Sequence, residues 1–488
     1  MRNRTSADIT LVNINLMYAV IGGTADFQAY VPLGLLYIAA YLERNGFKVD
    51  FRDYQLVVRK NLQKPFDLEA FARFMKGAAA IVGFSCMSNL LPFTLLAAQR
   101  LKQDDPRKVV ILGGAGPTGV AREIIENFAW IDYVCCGEGE RSALALMKRL
   151  ISGKRPGWDL AAPIPGVCSR WKGKVKYTDG ARILHLDGLP FPAYHLIDFK
   201  EYDAACSIVT SRGCMYNCSF CTETNFWNNR VVFRGVENVI AELRLLARNS
   251  AKKVFLFQDD QVTLRRERAF HLFRRLAEEN LKMRWKCFAR VDLVDEEMLS
   301  LMAKAGCIQV RFGIESGSNR VLQRIKKGFS IQEAYRAVRQ AIRCIPSVHA
   351  SFIWGYPFET AAQCGETMKW ARRFQVAGCT TLVFLLSPLP NSKIFRDYLG
   401  PLDFNPWLMA NFNCSGGENQ TRKGTAIIKD SGYLFDFIRR YPRIFPGFYL
   451  YDYKNNIEPK MRIVRHRQGL FSREIKNIKV GDYELVDL

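Results

Sequence analysis

Apolar positions in the first third of the chain alternate between two spacings. Short apolar or β-branched runs at 9–14, 48–53, 80–85, 109–114 and 132–136 predict strands. Between them, 32–43 places Leu35, Leu36, Ala39 and Leu42 on one helical face, with Pro32 suited to the first turn and Asn45-Gly46 to stop it. Further helices are predicted over 93–102 and near 120–127. Helices alternating with short apolar strands predict a parallel, doubly wound, Rossmann-like sheet covered on both faces. Ligands bind such sheets beyond the carboxyl ends of the strands. The residues there are small or polar: Ser85 and Met87, then Gly113, Gly114, Pro117 and Thr118, then Gly137, Glu138 and Gly139. Glycines there let a large ligand approach the backbone.

A second alternation runs from 205 to about 387. Strand-like runs at 205–211, 253–258, 284–291, 308–314, 349–353 and 381–386 are separated by helical patterns at 237–249, 267–280, 296–305, 331–342 and 361–376. Six β/α units suit a partial TIM-like barrel with chemistry at the strands' carboxyl ends. A doubly wound sheet has the same periodicity. Residues 151–204 read as a proline-punctuated connector with a hairpin around Gly173. The expected division is therefore 1–155, a linker over 156–204, a barrel over 205–400, and a small cap over 401–488. In the cap, 433–451 interleaves aromatics with Arg439, Arg440 and Arg443. That pattern suits a lid or a site for a flat or lipid-like substrate, but buried aromatic packing is the stronger expectation.

Composition narrows the classes. A hydrophobic content of 49% and an aromatic content of 12% exclude a disordered chain. No apolar run is long enough to span a bilayer, and the first residues lead directly into a strand, so no leader segment is expected. Fourteen scattered cysteines make no disulfide framework, and a thiolate cluster needs a reducing compartment, which points to the cytoplasm. The net charge of +23 favours an anionic partner, whether nucleic acid, a phospholipid surface or an acidic metabolite, or simply a solvated basic surface.

The densest chemistry lies at 211–221, where Cys214, Cys218 and Cys221 stand at C-x₃-C-x₂-C spacing after the first strand of the second alternation. Three thiolates on one loop can share one metal centre but fall one short of the usual four-thiolate iron–sulfur set. One iron stays open. A structural zinc site wants four ligands, and the next histidine, His271, is alone on a helical segment. With Phe220 before the last cysteine, the loop resembles the signature of the radical S-adenosylmethionine (AdoMet) enzymes. The resemblance implies a [4Fe–4S] cluster on these cysteines, AdoMet chelated by the open iron, cleavage to a 5′-deoxyadenosyl radical, and a reducing partner such as flavodoxin or ferredoxin. The strand ends resemble the family's AdoMet-binding groups in order. They are Asp259 and Asp260, only one of which can face the ligand, then Arg290, Glu315 with Ser316, and Gly355 with Pro357.

The first domain, with its Gly-Gly-x-x-Pro-Thr turn and Gly-Glu-Gly-Glu end, resembles the cobalamin-binding domain of the cobalamin-dependent branch. Two departures stand out. Gly116 occupies a position where the family often has histidine, and no histidine occurs before His185. The first domain therefore offers no imidazole to cobalt. The resemblance implies a methyltransferase acting on an unactivated carbon of a small molecule, such as a specialised metabolite, a tetrapyrrole or a lipid. There, methylcobalamin donates the methyl group and a second AdoMet restores it. Oxidative cyclisation, rearrangement or carbon–carbon coupling on the same scaffold is the alternative. A metal-stabilised nucleic-acid-binding protein is a more distant one, and peripheral membrane contact is compatible with the charge.

Overall fold

The computed structural model describes residues 7–468 apart from 15–16, 22–23, 27–28, 61–66, 152–162, 203–205, 250–253, 280, 401, 405–412, 417–420 and 426–431, and then 478–480 and 483–485. The first sheet contains β1 (Ile9–Asn13), β2 (Val49–Asp53), β3 (Ile81–Ser85), β4 (Val109–Gly113), β5 (Tyr133–Cys135), β6 (Val167–Trp171) and β7 (Lys174–Tyr177), in the order β2-β1-β3-β4-β5-β6-β7. The first five strands are parallel. Helices Leu33–Arg44 and Gly139–Ile151 cover one face, with Leu35, Ala39, Leu42, Leu146 and Met147 packed on Ile9, Leu11 and Ile111. Helices Leu91–Asp104 and Ala121–Asn127 cover the other. The hairpin β6–β7 turns at Lys172 and Gly173, both at positive φ, and joins this sheet antiparallel to β5. Part of the expected linker thus belongs to the first sheet.

The second sheet carries β8 (Cys206–Ile208), β9 (Val254–Phe257), β10 (Arg284–Ala289), β11 (Cys307–Glu315), β12 (Ser347–Trp354) and β13 (Thr380–Leu385), all parallel and in sequential order. A doubly wound sheet would reverse its order at a switch point. Sequential order makes this the partial barrel. Its core includes Trp285, stacked on Phe273 at 5.2 Å. Capping boxes at Ser330/Glu333 and Thr360/Gln363 start the two helices before and after β12. Beyond β13 the sheet continues antiparallel through 413–416, 421–425, 17–21 and 24–26. Segments from the first and last parts of the chain therefore extend this sheet beyond its sixth parallel strand.

The C-terminal segment straps both domains together. Leu434, Ile438, Phe445 and Phe448 pack into the first domain's core, and Phe128 meets Phe437 and Tyr441 at ring distances of 5.6 and 4.9 Å. Ile457, Met461 and Val464 pack on Trp354, Met368 and Leu385 of the barrel. Most of the aromatic rings in the 433–451 run therefore pack within the fold. Among the described residues, no helix is long and apolar enough to cross a membrane.

Candidate active site

The cysteine loop hangs from a short two-strand ladder. Ser211–Arg212 pairs antiparallel with Val232–Phe233. Asp259, beyond the end of β9, accepts hydrogen bonds from the Thr210 N–H (2.7 Å), Thr210 Oγ1 (2.6 Å) and Ser211 Oγ (2.5 Å). Gly213 has φ +104, and a Cβ there would overlap the Arg230 carbonyl. Further along, the Ser219 N–H donates to the Ile325 carbonyl (3.1 Å), and the Ser219 carbonyl accepts from the Ile394 N–H (2.9 Å). This backbone scaffold holds Cys218 buried and Cys214 and Cys221 half-buried.

The loop suits a cluster. Cys214 and Cys221 each have Cys218 as an electrostatic neighbour. Burial raises the Cys214 thiol and pushes Cys221 up to about 12, whereas a bound metal ionises a coordinating thiol outright. Among the described residues, no three Cys, His, Asp or Glu side chains form a site for a single metal ion. An iron–sulfur cubane attaches its thiolates to separate irons and needs no such convergence.

Asp260, unlike Asp259, faces the cleft beside this loop. Burial, the neighbouring Glu223 and then Asp259 raise its carboxyl to about 7, and burial raises Glu223 too. Two crowded carboxylates next to Cys214 and Cys221 suit a cationic partner such as the ammonium of AdoMet. Four other expected AdoMet residues are engaged within the protein. Arg290 lies 3.5 Å from the Tyr216 ring centroid, pairs twice with Asp292 at 2.9 Å and donates to the Lys327 carbonyl. These contacts tie it to the cysteine loop through Tyr216 and to the turn at Lys327. Glu315, at φ +72, lies 3.2 Å from Lys327 Nζ, and Ser316 bonds Thr367 and the Ser318 N–H. Gly355, at φ +87, donates to Glu359 and accepts from Asn456 at the turn that contains half-buried Pro357.

Between the domains lies a cleft of about 520 Å³. Ser85, Met87, Gly113, Gly114, Gly137, Glu138 and Gly139 line one side of it, and Arg212, Gly213, Glu223, Trp227, Gln258 and Asp260 line the other. The carboxyl ends of both sheets therefore face one space. Met87 lines it as an apolar side chain that is 56% exposed. The backbone cradle is tight. A Cβ on Gly114, at φ +97, would lie 2.8 Å from the Cys86 carbonyl oxygen, and one on Gly116 would lie 2.6 Å from the Met87 carbonyl carbon. Gly116 therefore has no room for the histidine that the family often carries. A wide apolar cleft floored by glycine turns fits a large flat cofactor such as cobalamin.

Pro117 is buried away from this cleft. Thr118 ties its turns together, accepting from the Gly137 N–H (3.2 Å) and donating to the Gly114 carbonyl (2.7 Å). Glu138 reaches the cleft with both oxygens engaged, by Arg212 Nη1 (3.0 Å) and the Ile183 N–H (2.9 Å). Arg212 also donates to Glu140 at 2.7 Å and lies 5.1 Å from the Tyr37 ring centroid. Sequence reasoning missed Arg212. Its place directly before Gly213-Cys214, opposite an acidic turn, was the available signal.

Two family models match the chain: the B12 binding domain over residues 19–147 and the radical SAM superfamily over 208–371. The chain belongs to the cobalamin-dependent radical AdoMet family. Family members similar to it include an uncharacterized methyltransferase of Pyrococcus horikoshii, 29% identical over 75% of this chain and 78% of the relative. Another is the cytidylyl-2-hydroxyethylphosphonate methyltransferase of Streptomyces wedmorensis, 28% identical over 75% and 77%. The anaerobic magnesium-protoporphyrin IX monomethyl ester cyclase of Rubrivivax gelatinosus is 26% identical over 77% and 68%. Among solved structures, the radical AdoMet methyltransferase TsrM of Kitasatospora setae, with cobalamin and a [4Fe–4S] cluster, shares the fold. Its TM-score is 0.64 at 21% identity, covering 80% of this chain and 77% of TsrM.

Proposed function

We propose that the chain is a cobalamin-dependent radical AdoMet methyltransferase acting at an unactivated carbon of a small molecule. The observation that carries this reading is the shared cleft, with Asp260 and Glu223 beside the cysteine loop on one wall and the glycine turns of the first domain on the other. When bound, the cluster with AdoMet supplies a 5′-deoxyadenosyl radical, and cobalamin supplies the methyl group. The chain's residues do the rest. Cys214, Cys218 and Cys221 leave one iron position for AdoMet, and Asp260 and Glu223 hold its ammonium. The turns at Gly113–Gly114 and Gly137–Gly139 seat the cobalamin, and Met87 supplies apolar contact in the absence of an imidazole. The loop is fixed in position by Arg290 through Tyr216 and by Asp259 through Thr210 and Ser211. Electrons come from a low-potential carrier of the flavodoxin or ferredoxin class.

Similarity to methyltransferases acting on a phosphonate and, in the hopanoid C-3 methylase of Methylococcus capsulatus (24% identical), on a lipid supports methyl transfer. Similarity to the anaerobic cyclase keeps oxidative cyclisation as the second reading. Cells fed methyl-deuterated methionine, and carrying either the native chain or Cys218→Ala, separate the two. A metabolite that depends on the native chain and carries the intact deuterated methyl group is expected. A dependent metabolite without label would replace methyl transfer by the second reading.

A further inference from the structure

Beside the cofactor cleft lies a second cavity, of about 350 Å³, which shares Gly137, Glu138 and Phe226 with it. We propose that this cavity binds an oxyanion of the substrate, a carboxylate or a phosphate, and that Arg182 is the residue that holds it.

Arg182 lines the cavity with its side chain only 10% exposed. Its guanidinium lies 4.3 Å from the Trp227 ring centroid, which fixes the plane of the fork. Nη2 donates to the Arg212 carbonyl at 3.3 Å. Nε and Nη1 find no hydrogen-bond acceptor among the described residues. Glu138 Oε2 stands 3.1 Å from Nη1, near enough to offset charge but out of hydrogen-bond alignment, and it already accepts from the Ile183 N–H. A buried Nε–H without an acceptor matches an oxygen of a carboxylate or phosphate. Buried donors of this kind are almost always satisfied in native structures, so the missing acceptor points to a ligand.

Asn228 and Asn391 also line the cavity. Their amides are neutral donors suited to an oxyanion's remaining lone pairs. Glu123 and Asp179 also line the cavity, and Asp179 is solvent-exposed, where water weakens its repulsion of an anion. Gly137, Glu138 and Phe226 line both spaces, so an anion held at Arg182 lies beside the cofactor cleft. That the anion belongs to the substrate rests on the methyl-transfer reading. The anion site itself does not.

The test uses the full-length, cobalamin-loaded protein and two probes at fixed ionic strength, inorganic phosphate followed by phosphorus NMR and propionate followed by proton saturation transfer. Saturable binding of at least one probe is expected, and the one that binds tells phosphate from carboxylate. Arg182→Gln is expected to weaken it about tenfold or more. Ala181→Trp, which fills the cavity from its exposed rim and leaves the ion pairs intact, is expected to do the same should Arg182→Gln fail to fold. Absence of saturable binding by both probes, or unchanged affinity in either folded variant, would overturn the assignment. Neither readout requires AdoMet cleavage, so failure here leaves methyl transfer standing. An unlabelled metabolite, conversely, leaves the anion site standing.

Discussion

Asp259 and Asp260 are adjacent, chemically identical and differently employed. Neighbours in an extended chain point to opposite sides. One therefore ties down Thr210 and Ser211 while the other joins Glu223 in the cleft. Asp260→Asn is expected to weaken AdoMet binding by about 30-fold, equivalent to ~2 kcal/mol for a charge-assisted hydrogen bond, with little change in melting temperature. Asp259→Asn should do the reverse, costing roughly 2 kcal/mol of stability through its buried acceptors. Equilibrium dialysis and thermal melts on the same pair of proteins check both. The aspartate pair and the cysteine loop were legible in sequence, but the choice between the aspartates was not. Arg290 shows the same limit: its position after β10 was readable, but its partners Tyr216 and Asp292 were fixed by packing.

Among the elements, helix Glu458–Gln468 does the least expected work. Lys460 Nζ donates to the Tyr356 carbonyl (2.9 Å) and lies 3.7 Å from Glu359 Oε2, while Asn456 Nδ2 donates to the Gly355 carbonyl (3.1 Å). The last described helix, with the turn leading into it, thus shapes the turn after β12. Burial pushes the Glu359 carboxyl from its ordinary 4.5 up to about 7, against the opposing effects of Lys460 and the Gly355 N–H. Over that interval the folded chain binds more protons than the unfolded one, so this group's contribution to stability falls as pH rises. Urea melts of the cluster-free protein between pH 4.5 and about 7 should show this loss, at most about 3 kcal/mol, beside that of Asp260, and Glu359→Gln should remove the Glu359 share alone. Gly114→Ala places a side chain at φ +97 against the Cys86 carbonyl and is expected to cost about 1–2 kcal/mol and impair cobalamin retention, read by absorbance after gel filtration. Strand and helix periodicity was plain in sequence. Pairing of 17–21 with 421–425 was not, because backbone ladders between distant segments leave no mark on hydrophobic spacing.

At the scale of the molecule, two domains are held by a strap and a charge clamp. The strap buries Phe445 and Phe448 in one core and Ile457 and Met461 in the other cluster. The clamp joins Arg212, directly before the cysteine loop, to Glu138 and Glu140 of the first domain. Removing one partner of a buried ion pair leaves uncompensated charge. Arg212→Gln is therefore expected to lower stability by roughly 3 kcal/mol and to weaken cobalamin retention, measured by denaturant melts and bound-cobalamin absorbance. Domain order and fold class could be read from the chain, whereas their docking could not, since it depends on side chains drawn from three separated segments.

We propose that one cleft brings AdoMet, held at a three-thiolate cluster, to face cobalamin. The most direct measurement gives methyl-deuterated AdoMet and a strong reductant to the anaerobically reconstituted, cobalamin-loaded protein and follows both products by mass spectrometry. The native protein is expected to give 5′-deoxyadenosine together with deuterated methyl on cobalamin, and Cys218→Ala no 5′-deoxyadenosine. Cleavage of AdoMet by Cys218→Ala, or native protein that cleaves AdoMet while its cobalamin never acquires the label, would contradict it.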